Sequence, residues 1–162
     1  GPLVRRLSAE QFRDAVGALT GVWLGQPATK ILRADGSTND FVQTRTALVA
    51  ADSLQLALGR PNREQVVTVR ASTATTLQAL ELTNGHELAM VLKRGAERML
   101  AAEIKPSIEA VVQNAYAKAL GRKPNRSEAA LAASLVGQPI QPTGVEDLLW
   151  SLTMLPEFQL IY

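Results

Sequence analysis

The chain has 162 residues, of which 46% are hydrophobic and 20% charged, a composition typical of a single globular domain and unlike that of a disordered chain. Seventeen Lys and Arg against fifteen Asp and Glu leave a net charge of +2; the basic residues are scattered, which argues against a nucleic-acid-binding face. The absence of cysteine excludes disulfides, thiolate chemistry and covalent haem attachment, and no apolar run approaches the ~20 residues that span a bilayer.

The first helix signal lies close to the start of the chain. Ser8 and Gln11 have the spacing of a capping box, in which each side chain accepts a hydrogen bond from the backbone N–H of the other residue. Apolar residues at helical spacing follow from Phe12, and Gly21 is a natural terminator. The pattern predicts a helix over about 9–20.

The second quarter of the chain is less regular. Gly, Pro, Ser and Asn interrupt short apolar pieces over residues 22–40, which predicts a long irregular loop of the kind that is usually functional or docked on another surface. Helical spacing returns over 46–58 and is broken by Gly59-Arg60-Pro61-Asn62. The short β-branched stretch 65–69 favours an extended connector.

From about residue 75 onward the chain has helical spacing divided by turns. Asn84-Gly85 splits the stretch 75–102 into a short helix and a longer one. Three further helices are expected, each with its own start and stop. Their signals are Pro106-Ser107 with Gly121, Asn125 with Gly137, and Thr143 with Pro156, the last helix placing Leu148, Leu149, Leu152 and Leu155 on its inner face.

These signals together predict an all-α fold, a compact multi-helix bundle with one long irregular loop at about 22–40. Gly1-Pro2 is typical of the remnant of a protease-cleaved tag. We therefore expect a single helical domain over residues 3–162.

Arginines near the central turn are the most notable polar feature of the sequence. Arg60, Arg63 and Arg70 could together hold a carboxylate, sulfate or phosphate, because guanidinium groups match the geometry of these anions. Alternatively, they form structural ion pairs that hold the turn to the bundle, with Asp14, Asp52 or Glu64 as partners.

Gln78 and Asn84 lie on an otherwise apolar helix and join the arginines as candidate anion-binding or interface residues. A buried amide must be hydrogen-bonded, so we expect these two to fix the helix kink or the arginine turn rather than to bind a ligand. Trp23 and Trp150 could form a stacking platform for a sugar, but packing in the core or at an interface is favoured.

No combination of residues indicates catalysis or a metal or cofactor site. His86 is the only histidine; it precedes Met90 by four residues, so on a helix both would face one side, whereas axial haem ligands approach from opposite sides. No nucleophile elbow is present, and the carboxylates are dispersed. We expect no catalytic, metal-binding or cofactor-binding residue in this chain.

An ordered set of motifs resembles the DUF1553 family, the C-terminal domain of unknown function of large secreted proteins abundant in planctomycetes and their relatives. The resemblance covers nearly the whole chain. Its motifs are Arg5-Arg6-Leu7-Ser8-Ala9-Glu10-Gln11 with Asp14-Ala15, Gly59-Arg60-Pro61-Asn62-Arg63-Glu64-Gln65-Val66-Val67-Thr68 with Arg70, Thr75-Thr76-Leu77-Gln78-Ala79-Leu80 with Asn84, Ala119-Leu120-Gly121-Arg122-Lys123-Pro124 with Glu128, and Leu148-Leu149-Trp150 with Pro156-Glu157-Phe158.

The resemblance implies a biological context rather than a mechanism. Proteins of this kind often carry an N-terminal cytochrome c-like module, a second domain of unknown function and sometimes a carbohydrate-binding-like insert, and they are exported to the periplasm or cell surface. Because this chain has no Cys-x-x-Cys-His motif, any haem would belong to another part of the parent protein. The family has no established catalytic residues.

The sequence and the resemblance lead to two functional expectations. In the first, the chain is a non-catalytic helical module that packs on other domains of its parent protein, with Arg60, Arg63 and Arg70 shaping the junction and the loop at 22–40 and an apolar rim making contact. In the second, the arginine cluster contributes part of a site for an anionic ligand or polysaccharide. Neither expectation involves nucleic acid or a membrane-spanning segment.

Overall fold

The computed structural model describes residues 4–23, 45–61, 75–102 and 104–161, which are predominantly helical. The all-α prediction is therefore confirmed. Most of the predicted loop at 22–40 and all of the predicted connector at 65–69 lie outside the described residues. The elements are β1 Arg5–Arg6, α1 Ala9–Thr20, a 3₁₀ turn Thr46–Leu48, α2 Ser53–Ala57, α3 Thr76–Asn84, α4 His86–Ala101, α5 Ile108–Leu120, α6 Arg126–Val136, α7 Pro142–Met154, α8 Pro156–Gln159 and β2 Leu160–Ile161.

Helix α1 begins and ends where the sequence predicts. The Ser8 hydroxyl accepts a hydrogen bond from the backbone N–H of Gln11 at 3.2 Å, and the Gln11 side chain accepts one from the backbone N–H of Ser8 at 3.0 Å. Gly21 ends the helix in the left-handed conformation, with φ of 70°, which glycine adopts without steric cost. The capping-box prediction is confirmed.

The helix expected over 46–58 is wrong in its extent. A 3₁₀ turn occupies Thr46–Leu48, and α2 begins only at Ser53. The Asp52 side chain accepts a hydrogen bond from the backbone N–H of Gln55 at 2.8 Å, so Asp52 caps α2 instead of lying inside a longer helix. The chain between the two elements is extended at Val49.

The start predicted for α7 is also corrected. Gln141, not Thr143, is the residue that precedes the helix, and Pro142 is the first helical residue. Proline is favoured there because the first N–H of a helix has no partner within the helix. Pro156 ends α7 as expected and also begins the short helix α8, with Leu155 at the junction between them. The starts at Ser107 and Asn125 and the break at Asn84-Gly85 are confirmed.

The core lies between α1, α4, α5 and α7: α1 and α7 each pack on both α4 and α5, while α6 packs on α5 and α7. Each of these helices contributes apolar side chains buried at helical spacing. Where α1 crosses α4, a side-chain carbon placed on Gly95 would lie 2.6 Å from the Thr20 Cβ, so glycine is what allows this close approach. The most deeply buried residues include Val16, Leu19, Leu92, Ala115 and Leu149.

The two strands join the segment before α1 to the segment after α8. β1 and β2 pair antiparallel, with Arg5 opposite Ile161, and the Leu7 backbone N–H donates to the Gln159 carbonyl at 2.8 Å. Phe12 of α1 meets Phe158 of α8 edge to face, with ring centroids 5.8 Å apart. These contacts were not predicted, because nothing in a two-residue strand distinguishes it from a loop.

Candidate functional site

Arg60 donates hydrogen bonds mainly to backbone carbonyls of its own chain. Its Nη1 donates to the Thr46 carbonyl at 2.9 Å and to the Gln55 side-chain oxygen. Its Nη2 donates to the Val49 carbonyl at 2.7 Å and to the Ala47 carbonyl at 3.4 Å. One guanidinium therefore donates to three carbonyls along the 3₁₀ turn and the chain that follows it, of which the Thr46 carbonyl also accepts from the Val49 backbone N–H at 3.2 Å.

The charge of Arg60 is balanced inside the structure. Its Nε lies 3.8 Å from Oε1 of Glu10 on α1, and only 13% of the Arg60 side chain is exposed. All three guanidinium nitrogens thus face protein groups, so the N–H donors that would grip an external anion are already committed. Arg60 holds the 3₁₀ turn against α1 and α2.

Two of the three carboxylates suggested as partners for the arginine cluster, Asp52 and Asp14, contact other arginines among the described residues, and Glu64 lies outside those residues. Asp52 lies 4.0 Å from Nε of the buried Arg13, and Asp14 lies 3.7 Å from the exposed Arg45 while accepting a hydrogen bond from the Thr46 backbone N–H at 2.8 Å. Burial lowers the pKa of the Arg13 guanidinium, an effect that the Asp52 charge opposes. These contacts fix the position of the 3₁₀ turn on α1.

Gln78 lies at the start of α3 and is buried, with 8% of the residue exposed. It forms a capping box with Thr75: the Thr75 hydroxyl accepts from the Gln78 backbone N–H at 3.2 Å, and the Gln78 side chain accepts from the Thr75 N–H at 3.4 Å. Nη1 of Arg6 also donates to Gln78 Oε1 at 3.5 Å, and its Nη2 donates to Gln159 at 3.0 Å. Gln78 thus ties α3 to the paired ends of the chain.

The predicted candidates do not share partners among the described residues. Arg60 binds the 3₁₀ turn, Gln78 binds Arg6, and Asn84 is exposed at the last position of α3. Arg63 and Arg70 lie outside the described residues. The anion-binding role of the set stays a prediction.

A second arginine centre, absent from the candidates, joins the loop after α5 to α8. Arg122 donates from Nε to Glu157 Oε1 at 2.8 Å and also pairs with Glu128 on α6. Its guanidinium carbon lies 5.7 Å from the centroid of the Tyr116 ring, within the range of a cation–π contact. Burial, followed by the Glu128 charge, raises the pKa of Tyr116. Arg122, Glu128 and Glu157 all occur in the motifs of the family resemblance.

Two large apolar side chains lie on the outer surface of α3, next to exposed polar residues and opposite the buried Leu82. Leu77 and Leu80 are 57% and 54% exposed, whereas the polar Gln78 is buried. Neighbouring α2, which packs on α3, also exposes a leucine, Leu56. Amphipathic helices usually place their leucines inward, so Leu77 and Leu80 form an exposed apolar surface on α3.

Trp150 forms one wall of a groove of about 210 Å³ between the α3–α4 turn and α7. Its indole Nε1 donates to the Leu82 carbonyl at 3.0 Å, which fixes the ring. Leu82, Leu88 and Leu92 contribute the apolar lining, and Glu146 and Asp147 bring carboxylates to the same groove.

Trp23 occupies a different position, beside α1. A side-chain carbon placed on Gly17 would lie 2.9 Å from its ring, so the indole packs directly on the helix backbone. Trp23 also lines a cavity of about 410 Å³ with Asp14 and Arg45. No ring contact joins Trp23 and Trp150 in the described structure, so they do not form a common stacking platform there.

Two negative findings concern the part of the chain that the structure describes. No group of three or more His, Asp or Glu side chains there could hold a metal ion. None of the helices found there is both long enough and apolar enough to cross a membrane.

Comparison with known proteins supports the resemblance seen in the motifs. A model of the family described as "PSD1: Protein of unknown function (DUF1553)" matches residues 2–136, well over half of the chain. No curated protein and no solved structure matches. The matched range contains the capping box of α1, the Arg60 turn, the start of α3 and the Arg122–Glu128 pair. The chain belongs to the DUF1553 family.

Proposed function

We propose that this chain is a non-catalytic helical module that packs on neighbouring domains of a larger exported protein. The observation that carries the proposal is the outward-facing apolar surface of α3, formed by Leu77 and Leu80. Leaving large aliphatic side chains in water forgoes the stabilisation that burial provides. A neighbouring domain that covers α3 would recover it.

The internal commitment of Arg60 supports the same proposal. A ligand-binding arginine presents free N–H groups to a cleft. The N–H groups of Arg60 instead donate to the carbonyls of residues 46, 47 and 49 and to the Gln55 side chain. Its role is to shape the surface next to α2, which is where the proposed junction lies. Two further parts of the proposal rest on family membership alone. These are that the parent protein is exported and that any haem is carried by a cytochrome c-like module elsewhere in it.

The proposal is tested by amide hydrogen exchange in the full-length parent protein and in this chain alone. Docking should slow exchange of the α3 amides in the parent relative to the isolated chain, because a covered helix opens less often. The Leu77→Gln/Leu80→Gln double variant should remove that difference while leaving the unfolding free energy of the isolated chain nearly unchanged. Ile104→Gln, at a fully exposed isoleucine in the loop between α4 and α5, is the matched control.

Equal exchange of α3 in the parent and in the isolated chain would refute the packing proposal. The second expectation, an anionic polysaccharide bound through the arginine cluster, has its own experiment. If calorimetry detected binding of a sulfated glycan to this chain, and Arg63→Ala abolished it without unfolding the protein, the module would be a binding domain instead.

A further inference from the structure

We infer that the groove beside Trp150 receives a Lys or Arg side chain from the neighbouring domain of the parent protein. The inference rests on the proposed function, since it names the chemistry of one contact within the proposed junction. It places that contact at the end of α3 that follows Leu77 and Leu80, because Leu82 and Thr83 line the groove.

The size and lining of the groove fit a single side chain. At about 210 Å³ it is smaller than the roughly 300–1,000 Å³ of most small-molecule sites. Its apolar part consists of buried leucines of α3 and α4 and the exposed edge of Trp150. Such a surface accommodates the methylene stem of a long side chain, which packs on apolar atoms while its polar end remains at the rim.

The charge around the groove selects a cationic end group. Glu146 and Asp147 line it, and the lining contains no Lys or Arg. The Glu81 carboxylate lies at its edge, since a side-chain carbon placed on Gly85 would be 2.6 Å from Glu81 Oε2. Within the described structure none of these three carboxylates forms an ion pair, although the chain as a whole has a net charge of +2.

The Trp150 ring adds a second preference for a cation. An indole face attracts ammonium and guanidinium groups within about 6 Å of its centre, and the bond to the Leu82 carbonyl holds this ring in place. A Lys or Arg side chain in the groove therefore meets apolar carbon along its stem, an aromatic face beside it and carboxylates at its charged end. A neutral or acidic side chain of similar length lacks the last two interactions.

The groove is tested by NMR on the ¹⁵N-labelled chain, which has two tryptophans and hence two indole N–H signals. A Trp23→Phe variant identifies the Trp150 signal. The probe is an acetylated and amidated Leu-Lys-Leu peptide, compared with one that has norleucine in place of lysine.

We expect the lysine peptide to cause a saturable shift of the Trp150 indole and Ala89 amide signals, with a dissociation constant on the order of 1 mM. The norleucine peptide should bind at least about fivefold more weakly.

A charge-removal variant provides the second measurement. Glu146→Gln/Asp147→Asn should weaken binding of the lysine peptide about fivefold, the effect of losing two exposed ion pairs. Glu97→Gln/Glu109→Gln removes the same charge from exposed positions outside the groove and should leave binding unchanged.

Three outcomes would overturn the inference: no saturable shift at Trp150, equal binding of the two peptides, or no effect of the groove variant. Because the peptides bind this chain alone, failure here is distinct from failure of domain packing, which hydrogen exchange of α3 reports.

Discussion

Arg122 and Glu128 form two parallel hydrogen bonds, Nη1 to Oε2 and Nη2 to Oε1, each 2.8 Å long. Glu128 also accepts from the Asn125 backbone N–H at 2.7 Å as part of the capping box of α6. Glu157, at the start of α8, completes the cluster by accepting from Arg122 Nη2 at 2.9 Å. One guanidinium thus connects the loop after α5 with the first turns of α6 and α8.

Replacing Arg122 should lower the thermal stability of the chain. Arg122→Met leaves Glu128 and Glu157 near each other without the cation between them, so attraction is replaced by repulsion. We expect the melting temperature to fall by roughly 2–4 °C in circular dichroism at neutral pH. Arg126→Met is the matched control, because Arg126 is exposed and forms no ion pair within the described structure; a similar fall in both variants would contradict the prediction.

Acid should weaken the same cluster in a defined pH range. The hydrogen bond from Arg122, with the backbone hydrogen bond at Asn125, lowers the pKa of Glu128 from its ordinary value of 4.5 to about 2, and Arg122 also lowers the pKa of Glu157. A carboxyl with a lower pKa in the folded state stabilises the fold above its unfolded pKa. That contribution is lost as the pH falls from about 4.5 towards 2.

The measurement is a series of urea unfolding curves across this pH range for the wild-type chain and Glu128→Gln. The variant lacks the titrating group, so its stability should fall less steeply with decreasing pH than that of the wild type. Glu97→Gln, at an exposed residue outside the cluster, should retain the wild-type slope. Parallel curves for the wild type and Glu128→Gln would show that the cluster does not contribute to acid sensitivity.

Loss of Arg60 should be more costly than loss of a surface arginine. Arg60→Met removes the donor that the Ala47 and Val49 carbonyls share and the hydrogen bond to the Gln55 side chain, so we expect the free energy of unfolding to fall by about 2–4 kcal/mol. Arg45→Met removes an ion pair whose arginine is 75% exposed and should change stability by less than about 0.5 kcal/mol. Urea denaturation measures both, and equal effects would disprove a bracing role for Arg60.

The sequence predicts the elements whose signals are local. Capping residues and terminating glycines lie within a few positions of the helix ends they define, which is why α1, α5 and α6 begin and end as expected. The 46–58 stretch shows the limit of this reasoning. Its helical spacing is real, but Asp52 caps a shorter helix, and Arg60 stabilises a non-helical path that no local pattern encodes.

The sequence identifies which types of residue form the candidate site, but not what those residues do. An arginine at a turn suggests either an anion site or an internal brace, and only the positions of the Thr46 and Val49 carbonyls decide between them for Arg60. The groove at Trp150 was not predictable, because Leu82 and Trp150 are 68 positions apart and meet only through the packing of α3 and α4 against α7.

The close packing of α6 on α7 depends on a glycine and gives the last prediction. A side-chain carbon on Gly144 would lie 2.1 Å from the Leu135 carbonyl oxygen and 2.8 Å from that of Val136. Both atoms are backbone, so relief requires moving a helix, and Gly144→Ala should reduce the free energy of unfolding by about 3 kcal/mol or more. Gly121 has φ of 68° and no atom within 4 Å of the added carbon, so Gly121→Ala should cost only about 1 kcal/mol of backbone strain. Urea denaturation of the two variants distinguishes the steric effect at Gly144 from the backbone strain at Gly121. If Gly144→Ala were no more destabilising than Gly121→Ala, α6 could move away from α7 at little cost. The contact at Gly144 would then not define the position of α6.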